Sequence, residues 1–271
     1  MRLLIALACC LSACWLAPEV PVRSVDPALR LHGHNDYLQP VPLQRALDLR
    51  LGSIEADIYL VDGELRVGHE RWQLRKGRTL ESMYLDPLQA ASKRGALRDD
   101  GLPLVLLVDI KAQGAVVYSH LREVLRGYRD MLTRFVDGRI EPGAVTILLS
   151  GSRPAAMVAA ESDRLCALDG RMRDLDAKPP PPVHLVPWVS GSWRAISDWT
   201  GSDDLMAGEL GRIATVLAKA HEQGRKVRFW GAPDRKESWG AFFDLGLDLI
   251  CTDQPKQAAR WLREHRGSGA R

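Results

Sequence analysis

The sequence predicts one closed α/β fold, a TIM-type (β/α)8 barrel. Three observations carry that reading. Apolar strand-like runs alternate with helical patterns from about residue 30 to the C-terminal end, and no internal boundary divides them. Polar, chemistry-bearing residues collect at the C-terminal ends of those runs, where such a barrel has its mouth. The length of 271 residues suits one large core. A doubly wound open sheet is the alternative, but no glycine-rich phosphate loop follows the first strand.

Taken in order, an apolar run at 29–31 leads into His32. Leu43, Ala46 and Leu47 have helical spacing, which predicts a helix over 42–51 that stops at Gly52. Residues 53–60 form a strand, Asp62-Gly63 marks a hairpin, and 64–69 return from it. A helix over 80–91, interrupted near Pro87, precedes the continuous apolar run LVLLVDI at 104–110, which suits a strand buried on both faces. A long amphipathic helix is expected over 115–135. Further strands fall at 144–149, 165–169, 183–189, 226–230 and 247–251, with helices at 154–160, 205–223, 238–245 and 255–265. Pro179 to Pro182 reads as a stiff surface connector.

Composition is that of an ordinary globular chain, 46% hydrophobic and 26% charged, which excludes extended disorder. A net charge of +3 with no dense basic run gives no sign of a nucleic-acid surface. Met1-Arg2 followed by an apolar run from Leu3 to Leu11 reads as an export signal. Leu11-Ser12-Ala13-Cys14 resembles a bacterial lipoprotein processing site, with Cys14 as the lipidated residue. On that reading residues 1–14 are a signal segment, 15–29 a tether, 30–266 the barrel and 267–271 a flexible tail. The expected location is then the bacterial cell envelope, with membrane attachment through an N-terminal lipid, at the outer membrane if the host has one. Cys166 and Cys251 lie in apolar runs and are expected to pack as buried thiols, with a disulfide as the alternative.

The strand ends carry the chemistry. Alternation puts Glu55 and Asp57 on one face of the second strand, while Ile54, Ala56 and Ile58 point the other way. Two carboxylates facing into a barrel are costly without a compensating cation or proton. Asp109 ends the neighbouring strand, so three hard oxygen donors converge, suited to Mg²⁺ or Ca²⁺ rather than zinc. His34 and His69 bracket this set and have the titration range of a general acid and base. His32 lies on the same face as His34, and either is a candidate base. Lys111 and Arg171 supply cations, and Asn35, Asp169 and Trp230 also sit at the mouth. His120, His184, His221 and His265 read as structural.

These residues resemble the superfamily of phospholipase C-like phosphodiesterases, which includes glycerophosphodiester phosphodiesterases and spider-venom sphingomyelinase D. The family pattern is a histidine after the first strand, a Glu-x-Asp pair on the second, a histidine after a short hairpin and an acidic residue on the third. It maps onto His34, Glu55 and Asp57, His69, and Asp109. His34-Asn35-Asp36-Tyr37, Val67-Gly68-His69, the stretch from Arg228 to Asp234 and Thr252-Asp253-Gln254-Pro255 look like a poorly characterised bacterial and fungal branch. Asn35 stands where glycerophosphodiesterases carry Arg, and 38–43 lacks their Glu-Asn, so a phosphate-binding cation and a carboxylate are missing.

The resemblance implies a metal held by Glu55, Asp57 and Asp109, His34 as base, His69 as acid, and Lys111 stabilising developing charge. His32, Asn35, Asp169, Arg171 and Trp230 would contact the substrate, a small phosphodiester or lipid head group. A non-catalytic exported barrel that binds a ligand is the rival class; a metal hydrolase of another bond is a third.

Overall fold

The computed structural model describes residues 26–95, 97–98, 100–202 and 206–266. Strand β1 (Leu31–Gly33) is followed by the short helix α1 (Gln44–Asp48), the long strand β2 (Ser53–Val61) and its antiparallel return β3 (Glu64–Val67). Next come α2 (Asp86–Lys93), β4 (Leu104–Ile110), α3 (Gly114–Arg126), the hairpin of β5 (Arg134–Val136) and β6 (Arg139–Glu141), and β7 (Val145–Gly151). Helix α4 (Ala155–Ala159), β8 (Asp163–Arg164) and β9 (Cys166–Arg171) follow. The chain ends with β10 (Trp188–Ser192), α5 (Ala207–Glu222), β11 (Lys226–Trp230), α6 (Lys236–Asp244), β12 (Ile250–Thr252) and α7 (Pro255–Arg266).

Eight strands are parallel, in the order β11-β10-β9-β7-β4-β2-β1-β12. A parallel bridge between Arg228 and Leu249 joins the two ends of that order, so the barrel is nearly closed. Alternation sorts the side chains into two cores. Ile54, Ala56, Ile58, Leu106, Val108, Ile147 and Leu149 point outward and are buried beneath the helices. Leu107, Leu148, Ala167, Trp188 and Leu249 point inward with Phe135 and form an apolar plug. That plug is the floor on which the polar layer of the mouth rests. Each fully buried aliphatic side chain contributes roughly 1.5–3 kcal/mol, so the polar layer sits on a strongly stabilised base.

Several boundaries differ from the sequence expectation. The helix expected over 115–135 stops at Arg126, because Gly127 ends it and Thr133, Phe135 and Val136 favour extended backbone. Asp137 and Gly138, at φ 49° and 79°, turn β5 into β6 as Asp62 and Gly63, at 51° and 77°, turn β2 into β3. Pairing of β10 begins at Trp188 rather than near 183, since Pro187 has no N–H for the ladder and the carbonyl of Val186 accepts from Arg225 instead. The helix expected over 42–51 shrinks to five residues.

Residues 26–29 are not a tether. Asp26 caps the turn Pro27–Arg30 and pairs with Arg263 of α7 at 2.8 Å, and Ala28 is fully buried. The signal segment, Cys14 and the rest of the expected tether, together with 267–271, lie outside the described residues. Cys166 and Cys251 are free thiols, and burial pushes both up to about 12.

Candidate active site

Strand β2 presents Glu55 and Asp57 inward, and the register pairs Asp57 with Asp109 of β4. One ligand oxygen from each of Glu55, Asp57 and Asp109 lies within 4.8 Å of the other two. Asp57 is fully buried, and its Oδ2 takes three partners. The Tyr37 hydroxyl is 2.7 Å away, His69 Nδ1 2.8 Å and Lys111 Nζ 2.8 Å. Its Oδ1 is buried with no hydrogen-bond partner.

A buried carboxylate oxygen left bare costs free energy unless something positive meets it. Three donors occupy Oδ2 and leave Oδ1 to another partner, and one oxygen each from Glu55, Asp57 and Asp109 is a donor set that fits a hard divalent cation. Burial, followed by the charges of Asp57 and Glu55, raises the Asp109 carboxyl above its ordinary value against the opposing pull of Lys111. Lys111 lies 3.4 Å from Asp109. Burial works against its charge, but Asp57 and Asp109 raise its pKa, and it remains cationic. Gly151 makes room for Asp109: a Cβ there would sit 2.3 Å from Asp109 Oδ1, on backbone at φ +66°.

A second buried network supports the first. Arg228, only 3% exposed, lies 3.1 Å from Glu55 Oε2 and 3.7 Å from Asp169, and donates to Ser190 at 3.1 Å. Asp169 also accepts from Ser150 at 2.9 Å and from Ser190 at 2.5 Å. Burial pushes the Glu55 carboxyl upward, but the Arg228 charge and the His32 hydrogen bond outweigh it and hold the group well below the usual carboxylate range. His32 belongs to this network. Burial dominates the hydrogen bond to Glu55 and lowers its pKa to about 4, so the ring is neutral near pH 7. Its Nε2 is 3.0 Å from Arg228 and its Nδ1 2.9 Å from Ser53 Oγ.

His34 differs from His32 in each respect. It lines the cavity, and its Nδ1 is held 2.8 Å from Asp253 Oδ1, leaving Nε2 without a hydrogen-bond partner among the described residues. Burial disfavours its charged form, yet the Asp253 hydrogen bond and the charges of Glu55 and Asp253 raise its pKa. The cavity measures about 520 Å³ and is walled by Glu55, Asp109, Lys111, Asp169, Arg171, Arg228 and the half-exposed Trp230. Arg171 is steadied by the carbonyls of Asp169 and Gly170, at 3.1 Å each.

The structure thus brings Glu55, Asp57, Asp109, Lys111 and His69 into one cluster and places His34, Arg171 and Trp230 at the cavity wall. Two substrate-contact expectations need correction. His32 is fully buried between Ser53, Glu55 and Arg228, with no face toward the cavity. Asn35, at φ 47°, meets the Tyr37 hydroxyl at 2.8 Å and so positions Tyr37 rather than lining the cavity. Asp169 lines the wall, but its oxygens are engaged by Ser150, Ser190 and Arg228. Sequence reasoning gave no role to Arg228, Tyr37 or Asp253, although all three fall in the stretches that carry the family resemblance. Arg228 was within reach: it sits two residues before the inward-facing Trp230, so alternation turns it inward as well.

Residues 22–96 match the AIM6-like phosphodiesterase domain, and residues 226–256 match the glycerophosphoryl diester phosphodiesterase family. The chain is 30% identical to the altered inheritance of mitochondria protein 6 homolog of Arthroderma benhamiae, over 89% of this chain and 86% of that one. It is 29% identical to altered inheritance of mitochondria protein 6 of Lachancea thermotolerans, over 85% of this chain and 65% of that one. In fold it is similar to a calcium-dependent phosphoinositol-specific phospholipase C from a Pseudomonas species, with a TM-score of 0.56 and 13% identity over 86% of this chain and 94% of that one. The sequence relatives are fungal proteins, which overturns the expectation of a lipid-anchored protein of the bacterial cell envelope. Among the described residues no helix is long and apolar enough to cross a membrane.

Proposed function

Because the chain belongs to the AIM6-like family of the phospholipase C-like phosphodiesterases, we propose that its barrel mouth is a divalent-cation-dependent phosphodiesterase site that uses histidine acid–base catalysis. The observation that carries this reading is the bare, buried Oδ1 of Asp57 on a carboxylate that converges with those of Glu55 and Asp109. Magnesium and calcium both suit the donor set, and the phospholipase C of similar fold is calcium-dependent. A cation bound there supplies Lewis-acid neutralisation of a phosphoryl group.

The chain's own residues do the rest. His34, with Nδ1–H committed to Asp253, has Nε2 available to take the proton of an attacking hydroxyl from water or from the substrate. His69, anchored to Asp57 through Nδ1, donates a proton to the leaving oxygen through its other nitrogen. Lys111 and Arg171 meet negative charge growing on the phosphoryl oxygens. Trp230 offers an apolar wall to one arm of the substrate. Arg228 holds Glu55 ionised and immobile, and fills inside the barrel the place of the cation absent at Asn35.

A panel of phosphodiesters assayed for released alcohol and phosphomonoester, with Mg²⁺ or Ca²⁺ and with a chelator, tests the proposal. Turnover that the chelator abolishes and that His34→Ala and His69→Ala each reduce is expected. Turnover indifferent to all three would refute it.

A further inference from the structure

We propose that the rim beside the catalytic mouth docks on an anionic lipid bilayer, so that the diesters it meets are those of a membrane surface. The identity of the substrate rests on the phosphodiesterase reading; the docking does not.

Two loops make this rim. The first follows β1 and exposes Leu38 (58%) and Val41 (49%); the second follows β3 and exposes Trp72 (73%). They face a groove of about 590 Å³ that Pro40, Pro42 and Met83 also line. Large apolar side chains left this open on neighbouring loop tips mark a surface that something covers. Around Trp72 the chain runs Arg71, Arg75, Lys76 and Arg78, with no acidic residue between 71 and 80. All four are exposed, and among the described residues none of them is in an ion pair. Arg71 lies over the Tyr59 ring, Arg75 donates to the carbonyls of Trp72 and Leu74, and Arg78 donates to that of Tyr37.

Charge complementarity selects the occupant. Cations without fixed carboxylate partners, surrounding a tryptophan, match the headgroup zone of a fluid anionic surface, where aromatic rings settle at the polar boundary. The rim is also tied to the site. Tyr37 contacts Asp57, Gln39 donates to the Asp253 carbonyl at 2.9 Å, and His69 opens the second loop. A bilayer seated on Leu38, Val41 and Trp72 would therefore lie beside the catalytic cluster.

Sedimentation of the full chain with phosphatidylcholine vesicles, with and without phosphatidylserine, tests the idea. Binding to the anionic vesicles alone is expected, weakened by salt. Each basic residue near the surface contributes about fivefold in partition, so Arg75→Glu with Lys76→Glu should lower it by more than about 25-fold. Trp72→Ser should also weaken it, while turnover of a soluble diester stays unchanged in both variants. Trp72→Phe should keep binding and lose the part of the tryptophan quenching that brominated lipids cause. Equal partition of rim variants and wild type, binding indifferent to lipid charge, or quenching unaltered by Trp72→Phe overturns the proposal. Intact rim-dependent binding without diester turnover would instead overturn the phosphodiesterase reading and leave the docking standing.

Discussion

Replacing Arg228 with methionine removes the one cation that, among the described residues, touches both Glu55 and Asp169, at 3.1 and 3.7 Å. Methionine keeps most of the volume, so the loss is electrostatic rather than a cavity. Asp169 retains Ser150 and Ser190, and Glu55 retains His32, so neither oxygen set is wholly orphaned. Removing one member of a buried charge pair costs about 3–5 kcal/mol. A chain of this size loses about 2–4 °C of melting temperature per kcal/mol, so a drop of roughly 6–20 °C is expected near pH 7.

The sign of the pH dependence follows from Glu55, whose pKa in the folded protein lies below its unfolded value. Its contribution is present above the ordinary carboxyl value of 4.5 and is lost as pH falls through the folded value. In Arg228→Met that contribution is gone and burial favours the neutral acid. The gap between variant and wild type should therefore narrow as pH is lowered from 7 through the ordinary carboxyl range. Circular dichroism melts across that range measure it. A variant melting within about 2 °C of wild type at pH 7, or a gap that widens on acidification, would refute the role assigned to Arg228.

Three further outcomes are expected. Asp253→Asn removes the carboxylate that raises the His34 pKa, so the acid limb of the kcat/KM profile should move to lower pH; an unmoved limb separates His34 from the base role. Saturating Ca²⁺ or Mg²⁺ should stabilise the wild type by about 2.7 kcal/mol at a hundredfold excess over Kd and so raise its melting temperature. Asp109→Asn should lose most of that gain in differential scanning fluorimetry, and an equal gain in both proteins would place the ion elsewhere. Gly151→Ala, forced onto φ +66° with its Cβ against Asp109, should cost about 1–3 kcal/mol and weaken ion binding in the same titration; a neutral result would mean that Asp109 shifts freely.

Strand alternation made much of this molecule readable before any coordinates. It put Glu55 and Asp57 on one face and Ile54 and Ile58 on the other, and the observed cores divide in that way. Local signals that were present but compete with others were harder to read. Asp137-Gly138 repeats the turn chemistry of Asp62-Gly63, yet the amphipathic run before it masks where the helix stops. Arg228 shares the inward face of β11 with Trp230 by alternation, but its charge and that of Lys226 suggest an exposed strand, which hides its part in a buried network. His32 and His34 were indistinguishable by alternation because both point inward. Depth separates them: His32 lies level with Ser53 and is fully buried, whereas His34, two residues further along the chain, reaches the open mouth. Asp253 lies 219 residues from His34, and no local pattern signals a partner so remote.

The order of the inward-facing residues around the barrel has a consequence of its own. The cluster of His34, Glu55, Asp57, His69, Asp109 and Lys111 comes wholly from β1 to β4 and the loops that follow them, whereas Arg171, Met172, Ser192 and Trp230 wall the opposite side from β9 to β11. On the proposed reading, bond-breaking and ligand selection fall to separate halves of one chain, linked across the lumen chiefly by Arg228 and Asp253. Such a division lets the selecting half diversify while those two links hold, so one reaction can be retained as its ligands change. Grafting 172–202 between relatives, with both links kept, is the exchange that this architecture tolerates best.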